Sequence, residues 1–201
     1  MRALRILMLA PEPFFEPRGT PFSEYHRIKV LGELGYHVDL VTYPFGRNVD
    51  LPNLRIFRSV RPPFIGGVRV GPSMVKIVLD AFMVLTAVRR ALLDHYDAIH
   101  SHEEAGVLGA VLAELLGIPH LYDMHSSLPQ QLGSFGYTES WIGRWFFDCA
   151  ERMMINNARV IITICQELQD IVVAAGAGER AVLIENIMGG DMTDAPSLPA
   201  G

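Results

Sequence analysis

Apolar residues in this chain fall in short unbroken runs that alternate with stretches of helical period. Ile6 to Ala10 is one such run, the pattern of a strand buried on both faces. A turn-rich loop containing Arg18, Gly19 and Thr20 follows, then a helix-period segment that stops at Gly35, then the β-branched run Val38 to Thr42. Strand, loop, helix and strand by residue 43 make a βαβ unit. Such units build parallel sheets and place ligands at the carboxyl ends of the strands, here just past Ala10.

The alternation continues. Leu54 to Val60 reads as a short strand, and Arg61 to Pro72, with Pro62, Pro63, Gly66, Gly67 and Gly71, as a loop. Ser73 is placed to cap a helix running to about Leu93. In it Val78, Ala81, Phe82, Leu85, Val88 and Leu92 form one apolar stripe, the face expected to pack inward. Asp97 to Ser101 is a strand, and the helix from about Glu103 to Gly117 is apolar on almost every face, so it is expected against the sheet. Pro119 to Met124 is a strand, Ser140 to Asn156 a helix carrying Trp141, Trp145, Phe146 and Phe147, and Arg159 to Cys165 a strand. Gln166 to Ala175 is a helix and Ala181 to Ile187 a last strand. The prediction is an α/β fold: a doubly wound, Rossmann-like parallel sheet with right-handed crossovers. The tail GGDMTDAPSLPAG has no apolar period and reads as a linker.

Composition narrows the class. Half of the 201 residues are apolar, enough for one large α/β domain. Cys149 and Cys165 fall in segments that look like core helix and core strand, with no C-x-x-C motif, which predicts a reducing compartment. The apolar start breaks at Pro11 without a cleavage site, and the helix near Val75 to Leu93 contains Asp80, Arg89 and Arg90. Neither a signal peptide nor a membrane span is expected, and the localisation expected is cytoplasmic.

Charge is uneven. Residues 1–92 hold 13 Lys and Arg against 7 Asp and Glu, a net +6, whereas residues 93–201 hold 4 against 15, a net −11. Between Asp50 and Asp80 there is no acid, while Arg55, Arg58, Arg61, Arg69 and Lys76 are interleaved with Phe57, Val60, Phe64, Ile65, Val68 and Met74. The segment 55–76 suits an anionic membrane surface or an anionic acceptor; the alternative is that its arginines are merely solvated, as charge runs usually are. No nucleic-acid partner is expected.

The loop after the first strand is not a dinucleotide fingerprint, since only Gly19 lies between strand and helix, and no Walker lysine follows. Gly19 either lets backbone N–H groups approach a phosphate, with Thr20 and Ser23 as further donors, or is a plain turn glycine. Two polar clusters end neighbouring strand patterns: His100-Ser101-His102-Glu103-Glu104 and Tyr122-Asp123-Met124-His125-Ser126-Ser127. In a parallel sheet both emerge on the carboxyl edge beside the Gly19 loop. His102, Glu103 and His125 are metal-ligand types, but tight zinc spacings are missing and no metal is expected. Ser126 and Ser127 lack a nucleophile elbow. A hydrogen-bonding role for His125 on a polar substrate is the simpler reading. His100 and His120 are expected buried and satisfied, and His26, His37 and His95 at the surface or helix ends.

The first strand with its Gly19 loop, LGELGYHVDLVTY, YDAIHSHEEAG, IPHLYDMHSS, ERMMINNARVIITICQEL and VLIENIMGGD occur in order across essentially the whole chain. Together they resemble the N-terminal domain of the retaining GT-B glycosyltransferases, the family 4-like group. The resemblance implies the N-terminal half of a GT-B enzyme that moves a sugar from a nucleotide-sugar to a lipid or polysaccharide acceptor with retention and without a cofactor. It implies that residues 1–188 are the acceptor-side domain, and that 189–201 lead toward a second domain, absent here, that holds most of the nucleotide-sugar donor. It places Arg18, Gly19 and Thr20 near the donor diphosphate, His125 near the reacting sugar as the catalytic residue, and His102, Glu103 and Ser126 on substrate. It also implies a lipid-linked or saccharide acceptor, and a peripheral position at the inner face of the membrane. One loop glycine where many members have two, and IENIMG where a proline-asparagine-glycine turn is usual, depart from the pattern. The alternative is a stand-alone Rossmann-like binding domain that recognises an anionic ligand or a polypeptide.

Overall fold

Strand β1 (Arg5–Ala10) owes its central place to its composition: Leu7, Met8, Leu9 and Ala10 are all fully buried. The structure, a computed structural model, describes residues 3–15, 19–68, 73–129 and 141–185. Around β1 lie α1 (Gly19–Glu33), β2 (His37–Thr42), β3 (Leu54–Arg58), α2 (Met74–Leu93), β4 (Ala98–His102) and α3 (Ala105–Leu116). They are followed by β5 (His120–Met124), α4 (Trp141–Asn157), β6 (Val160–Thr163), α5 (Gln166–Ala174) and β7 (Ala181–Leu183). The seven strands are all parallel, in the order β3-β2-β1-β4-β5-β6-β7. This is the doubly wound α/β sheet that the alternation predicts. Its order reverses between β1 and β4, and a ligand crevice opens at such a switch point, past the strand ends.

Side chains alternate across the sheet. Leu7, Leu9, Val41 and Ile99 pack with α2 and α3, whereas Met8, Ala10, Val38 and Leu40 pack with Tyr25 and Ile28 of α1. Each such fully buried aliphatic side chain contributes about 1.5–3 kcal/mol. Helix α3 lies close on β4 and β5 because its inner face is Ala105, Gly106, Gly109, Ala110 and Ala113. A Cβ at Gly109 would sit 2.7 Å from both His120 Nε2 and Ser101 Oγ. Gly117, with φ +65, ends α3 and turns the chain toward β5.

Two expectations are corrected. Helix α2, capped by Ser73 as predicted, buries Leu79, Met83, Ala87 and Ala91, while Val78, Leu85 and Leu92 are exposed. The helix is apolar nearly all round, so its period fits two faces, and the one with Leu79, Met83, Ala87 and Ala91 takes the contact with the sheet. Cys149 is exposed on α4 rather than core, and Cys165 is half-buried at the start of α5; both are free thiols. Strands β6 and β7 end sooner than their apolar runs, and the tail from residue 186 lies outside the described residues. Among the described residues no helix is long and apolar enough to cross a membrane.

Candidate active site

The carboxyl ends of β1, β4 and β5 lie side by side, and the strand register aligns their polar residues. Met8 pairs with His100, and His102 with Asp123. His100 and His102, two apart on one strand, project to the α1 side with their rings stacked at 4.7 Å. Helix α1 answers with Glu24 and Arg27, three residues apart and so on one face, both turned toward the sheet.

Asp123 is the hub. Its Oδ2 lies 3.5 Å from His100 Nε2 and 3.5 Å from His102 Nδ1, and it is paired with the Arg27 guanidinium. Its Oδ1 is 3.1 Å from His125 Nε2. Arg27 Nη1 also comes within 3.2 Å of His125 Nε2. Burial pushes the Asp123 carboxyl up, but the imidazoles of His102, His100 and His125 outweigh it and hold the group well below the usual carboxylate range. Burial keeps His102 neutral, its pKa well below the ordinary value. Burial opposes a charge on His125 too, yet the Asp123 carboxylate overrides it and raises the pKa. Two like groups are thus shifted in opposite directions, the inner imidazole toward the neutral form and the one at the strand end toward the charged form.

Acids crowd the inner side. Glu24 is fully buried, with Glu12 and His102 as neighbours; burial first, then the Glu12 carboxyl, raises its pKa well above normal. Burial raises Glu12 to about 7. Glu103, the first residue after β4, has φ +48, and its backbone N–H donates to the Asp123 carbonyl at 3.2 Å, which joins the two strand ends. Lys76 pairs with the neighbouring Glu104. The loop after β5 is anchored from α4: the Leu128 backbone N–H donates to Glu151 Oε2 at 2.9 Å.

His125, Glu103 and Ser126 therefore meet at one edge with the start of α1, as the convergence argument expects. Of Gly19 and Thr20 only the backbone is described, as the first residues of α1, and Arg18 lies outside the described residues. The His125 side chain is only 4% exposed. His102 does not line an acceptor surface: its side chain is 1% exposed, beneath α1. His100 and His120 are both buried, as expected, but neither is fully satisfied: His120 Nε2 meets Ser101 Oγ at 2.6 Å, whereas His120 Nδ1 and His100 Nε2 make no hydrogen bond among the described residues. Sequence reasoning missed Glu12, Glu24 and Arg27. Charged residues within a helix read as its solvent side, and only the paired placement of Glu24 and Arg27 beside Tyr25 and Ile28 hints otherwise.

The basic segment is largely spoken for. Arg55 donates to both Asp39 oxygens, at 2.8 and 2.6 Å. Arg58 donates to the carbonyls of Tyr43, Phe45, Phe14 and Arg47. With Lys76 on Glu104, three of the five cations expected to face an anionic surface hold the fold instead, and Arg61 stacks 5.1 Å from the Phe45 ring.

Comparison with known proteins adds the following. A family model described as "Glycosyl transferase 4-like domain" matches residues 26–186. No curated protein matches the chain. Sucrose-phosphate synthase (tll1590) from Thermosynechococcus elongatus is similar in structure, with a TM-score of 0.63, 16% identity, and coverage of 90% of this chain and 48% of that one. Arabidopsis thaliana UGT89C1 complexed with UDP-L-rhamnose gives 0.60 at 12% identity, covering 94% and 50%. A ugt transferase from Siraitia grosvenorii in complex with UDP gives 0.58 at 12%, covering 90% and 50%. At such identities the likeness is one of fold, and the chain spans about half the length of these solved chains.

Proposed function

The chain belongs to the glycosyl transferase 4-like domain family, and on that premise we propose that it forms the acceptor-side half of a GT-B glycosyltransferase. In this reading the complete enzyme moves a sugar from a nucleotide-sugar to a lipid-linked or saccharide acceptor with retention. Residues 1–188 are the acceptor-side domain, and 189–201 lead to a second domain that takes most of the donor. The observation that carries the reading is the convergence of the β1, β4 and β5 ends at the switch point, with His125 held there by Asp123.

Transfer from a nucleotide diphosphate needs a water-poor cleft, an aimed acceptor hydroxyl and stabilisation of the leaving phosphate. In this reading Gly19 and Thr20, the first residues of α1, give backbone N–H groups and a helix terminus to the diphosphate, with Arg18 before them in the sequence as a further contact. His125, held by Asp123, supplies a hydrogen bond at the reacting sugar, and Glu103 and Ser126 contact the acceptor side.

A contact with the inner face of a membrane through residues 55–76 remains part of the proposal, in altered form. Its cations are mostly engaged within the fold, whereas Phe64 and Met74 are exposed. Apolar insertion then carries the contact more than charge, and binding to phosphatidylglycerol vesicles should survive high salt. Vesicle binding that is abolished by salt, or absent, counts against it.

The test of the main reading is sugar transfer by the full-length protein, assayed with UDP- and GDP-sugars against a membrane lipid extract and oligosaccharides. His125→Ala should lower turnover by about 10²-fold or more with the fold intact. Unaltered turnover in that variant removes His125 from the site, and no transfer from any donor removes the reading.

A further inference from the structure

We propose that His100 Nε2, His102 Nδ1 and Asp123 Oδ2, flanked by Glu24 Oε1, form a buried binding site for one divalent transition-metal cation of the zinc type. Spacing along the sequence predicts no metal, because zinc motifs keep their ligands close together on one loop or helix. Here the ligands come from three elements that only the sheet brings together.

Three observations carry the inference. The first is distance. The ligand atoms of His100, His102 and Asp123 all lie within 4.8 Å of one another. His100 Nε2 to Asp123 Oδ2, His102 Nδ1 to Asp123 Oδ2, and His102 Nδ1 to Glu24 Oε1 are each 3.5 Å. Zinc bonds of about 2.1 Å in a tetrahedron set ligands about 3.4 Å apart, so these edges need almost no adjustment.

The second is satisfaction. Among the described residues no hydrogen bond reaches His100 Nε2, either nitrogen of His102 or either oxygen of Glu24. All three residues are buried, at 4%, 0% and 0% exposure. Polar atoms taken out of water are ordinarily hydrogen-bonded or bound to a metal, and three of these orphans, His100 Nε2, His102 Nδ1 and Glu24 Oε1, each lie 3.5 Å from another member of the set. The third is ligand type. Carboxyl oxygens of Asp123 and Glu24 stand beside the two imidazoles, each 3.5 Å from His102 Nδ1. Two imidazoles with carboxylates suit zinc and its first-row neighbours, whereas calcium and magnesium ask for an all-oxygen shell.

Arg27 is the built-in competitor, since its guanidinium occupies the same Asp123 oxygen. Its side chain is 15% exposed, so it has a path to solvent, and metal binding exchanges one cation for another at Asp123. The site is closed by α1 and the sheet, which assigns it to holding the crevice in shape. This proposal does not depend on the glycosyltransferase reading.

The test uses the full chain, stripped with chelator and then titrated with Zn²⁺ and Co²⁺. One equivalent of zinc should bind with a dissociation constant of about 1 µM or tighter. Co²⁺ should develop the intense visible bands of a four-coordinate site, and thermal stability should rise with metal and fall with chelator. Arg27→Gln should tighten binding by about tenfold or more, because it frees Asp123 Oδ2; His102→Gln should abolish it. Substoichiometric zinc, a Co²⁺ spectrum no stronger than the aqueous ion, or binding unchanged in His102→Gln overturns the proposal. If His102→Gln does not fold, the wild-type stoichiometry and Co²⁺ spectrum decide alone.

Discussion

His125 Nε2 lies 3.1 Å from the carboxylate of Asp123, two residues back across the end of β5. The pairing joins the last inward residue of the strand to the first residue of the loop, so the position and charge of the imidazole are set by the sheet. Removing the carboxylate should therefore show in the proton affinity of the histidine. In Asp123→Asn the His125 pKa should fall, since the carboxylate that raises it is gone while burial, which lowers it, remains. Arg27, left without its partner and 3.2 Å from Nε2, pushes the same way. NMR titration of the imidazole resonances is the measurement, and an unmoved pKa would show that Asp123 does not charge His125.

Glu151 should act as a positioning residue for the loop that follows β5. It is buried on α4 and accepts from the Leu128 backbone N–H. Glu151→Ala leaves that donor unpaired, at a cost of about 1–3 kcal/mol. The effect on the loop is separable from the loss of stability. Amide exchange should speed up at residues 125–128 more than in β1 or β4, and Glu151→Gln should recover part of the protection. Uniform loosening across the sheet would make Glu151 a purely global stabiliser.

Gly109→Ala should destabilise the fold even though alanine is the better helix former by about 1 kcal/mol. Its Cβ would stand 2.7 Å from Ser101 Oγ and from His120 Nε2, and 2.8 Å from Ser101 Cβ. The β-carbon is fixed to the strand, so α3 must lift or the Ser101–His120 hydrogen bond must break. Overpacking of this kind costs about 1–3 kcal/mol, more than the helix gain. Urea denaturation measures it, and a variant as stable as wild type would show that α3 sits less tightly than described.

The order of elements was readable from the chain because it depends on local signals. Apolar runs, Gly35 and Gly117 after helices, and Ser73 before α2 each act within a few residues. The convergence of the β4 and β5 clusters beside the start of α1 followed from parallel topology alone. What failed was facing. The outer stripe of α2 competed with an equally apolar inner one, and Glu24 and Arg27 lie inside only because the sheet offers His102 and Asp123 to meet them. The family resemblance implies a substrate contact for His102, whereas α1 covers its side chain. No local period carries such information; it resides in which polar groups find partners across the fold.

Donor binding by residues 1–201 should be weak. In the proposed reading most donor contacts come from a second domain, and an open cleft leaves the diphosphate in water, where charge pairing is feeble. Calorimetry with UDP- and GDP-sugars should give no dissociation constant tighter than about 10 µM, a benchmark near −7 kcal/mol. Tighter binding would place a full donor site within these residues.

Glu12 should make stability depend on pH in a direction opposite to that of an ordinary surface acid. Burial raises its pKa to about 7 from 4.5, so between those values the folded chain keeps a proton that the unfolded chain has lost. Its contribution is fully present below about pH 4.5 and declines as pH rises toward 7, by an amount on the order of 2–3 kcal/mol. Glu24, raised the same way, reinforces the trend, whereas His120, which burial lowers to about 4, opposes it. The informative quantity is thus the difference between wild type and Glu12→Gln. Glutamine cannot lose a proton, and its neutral side chain also relieves the repulsion on Glu24. Denaturation at pH 5 and pH 8 should show the variant gaining on wild type as pH rises. A difference that stays constant across the range would mean that Glu12 titrates as if in water.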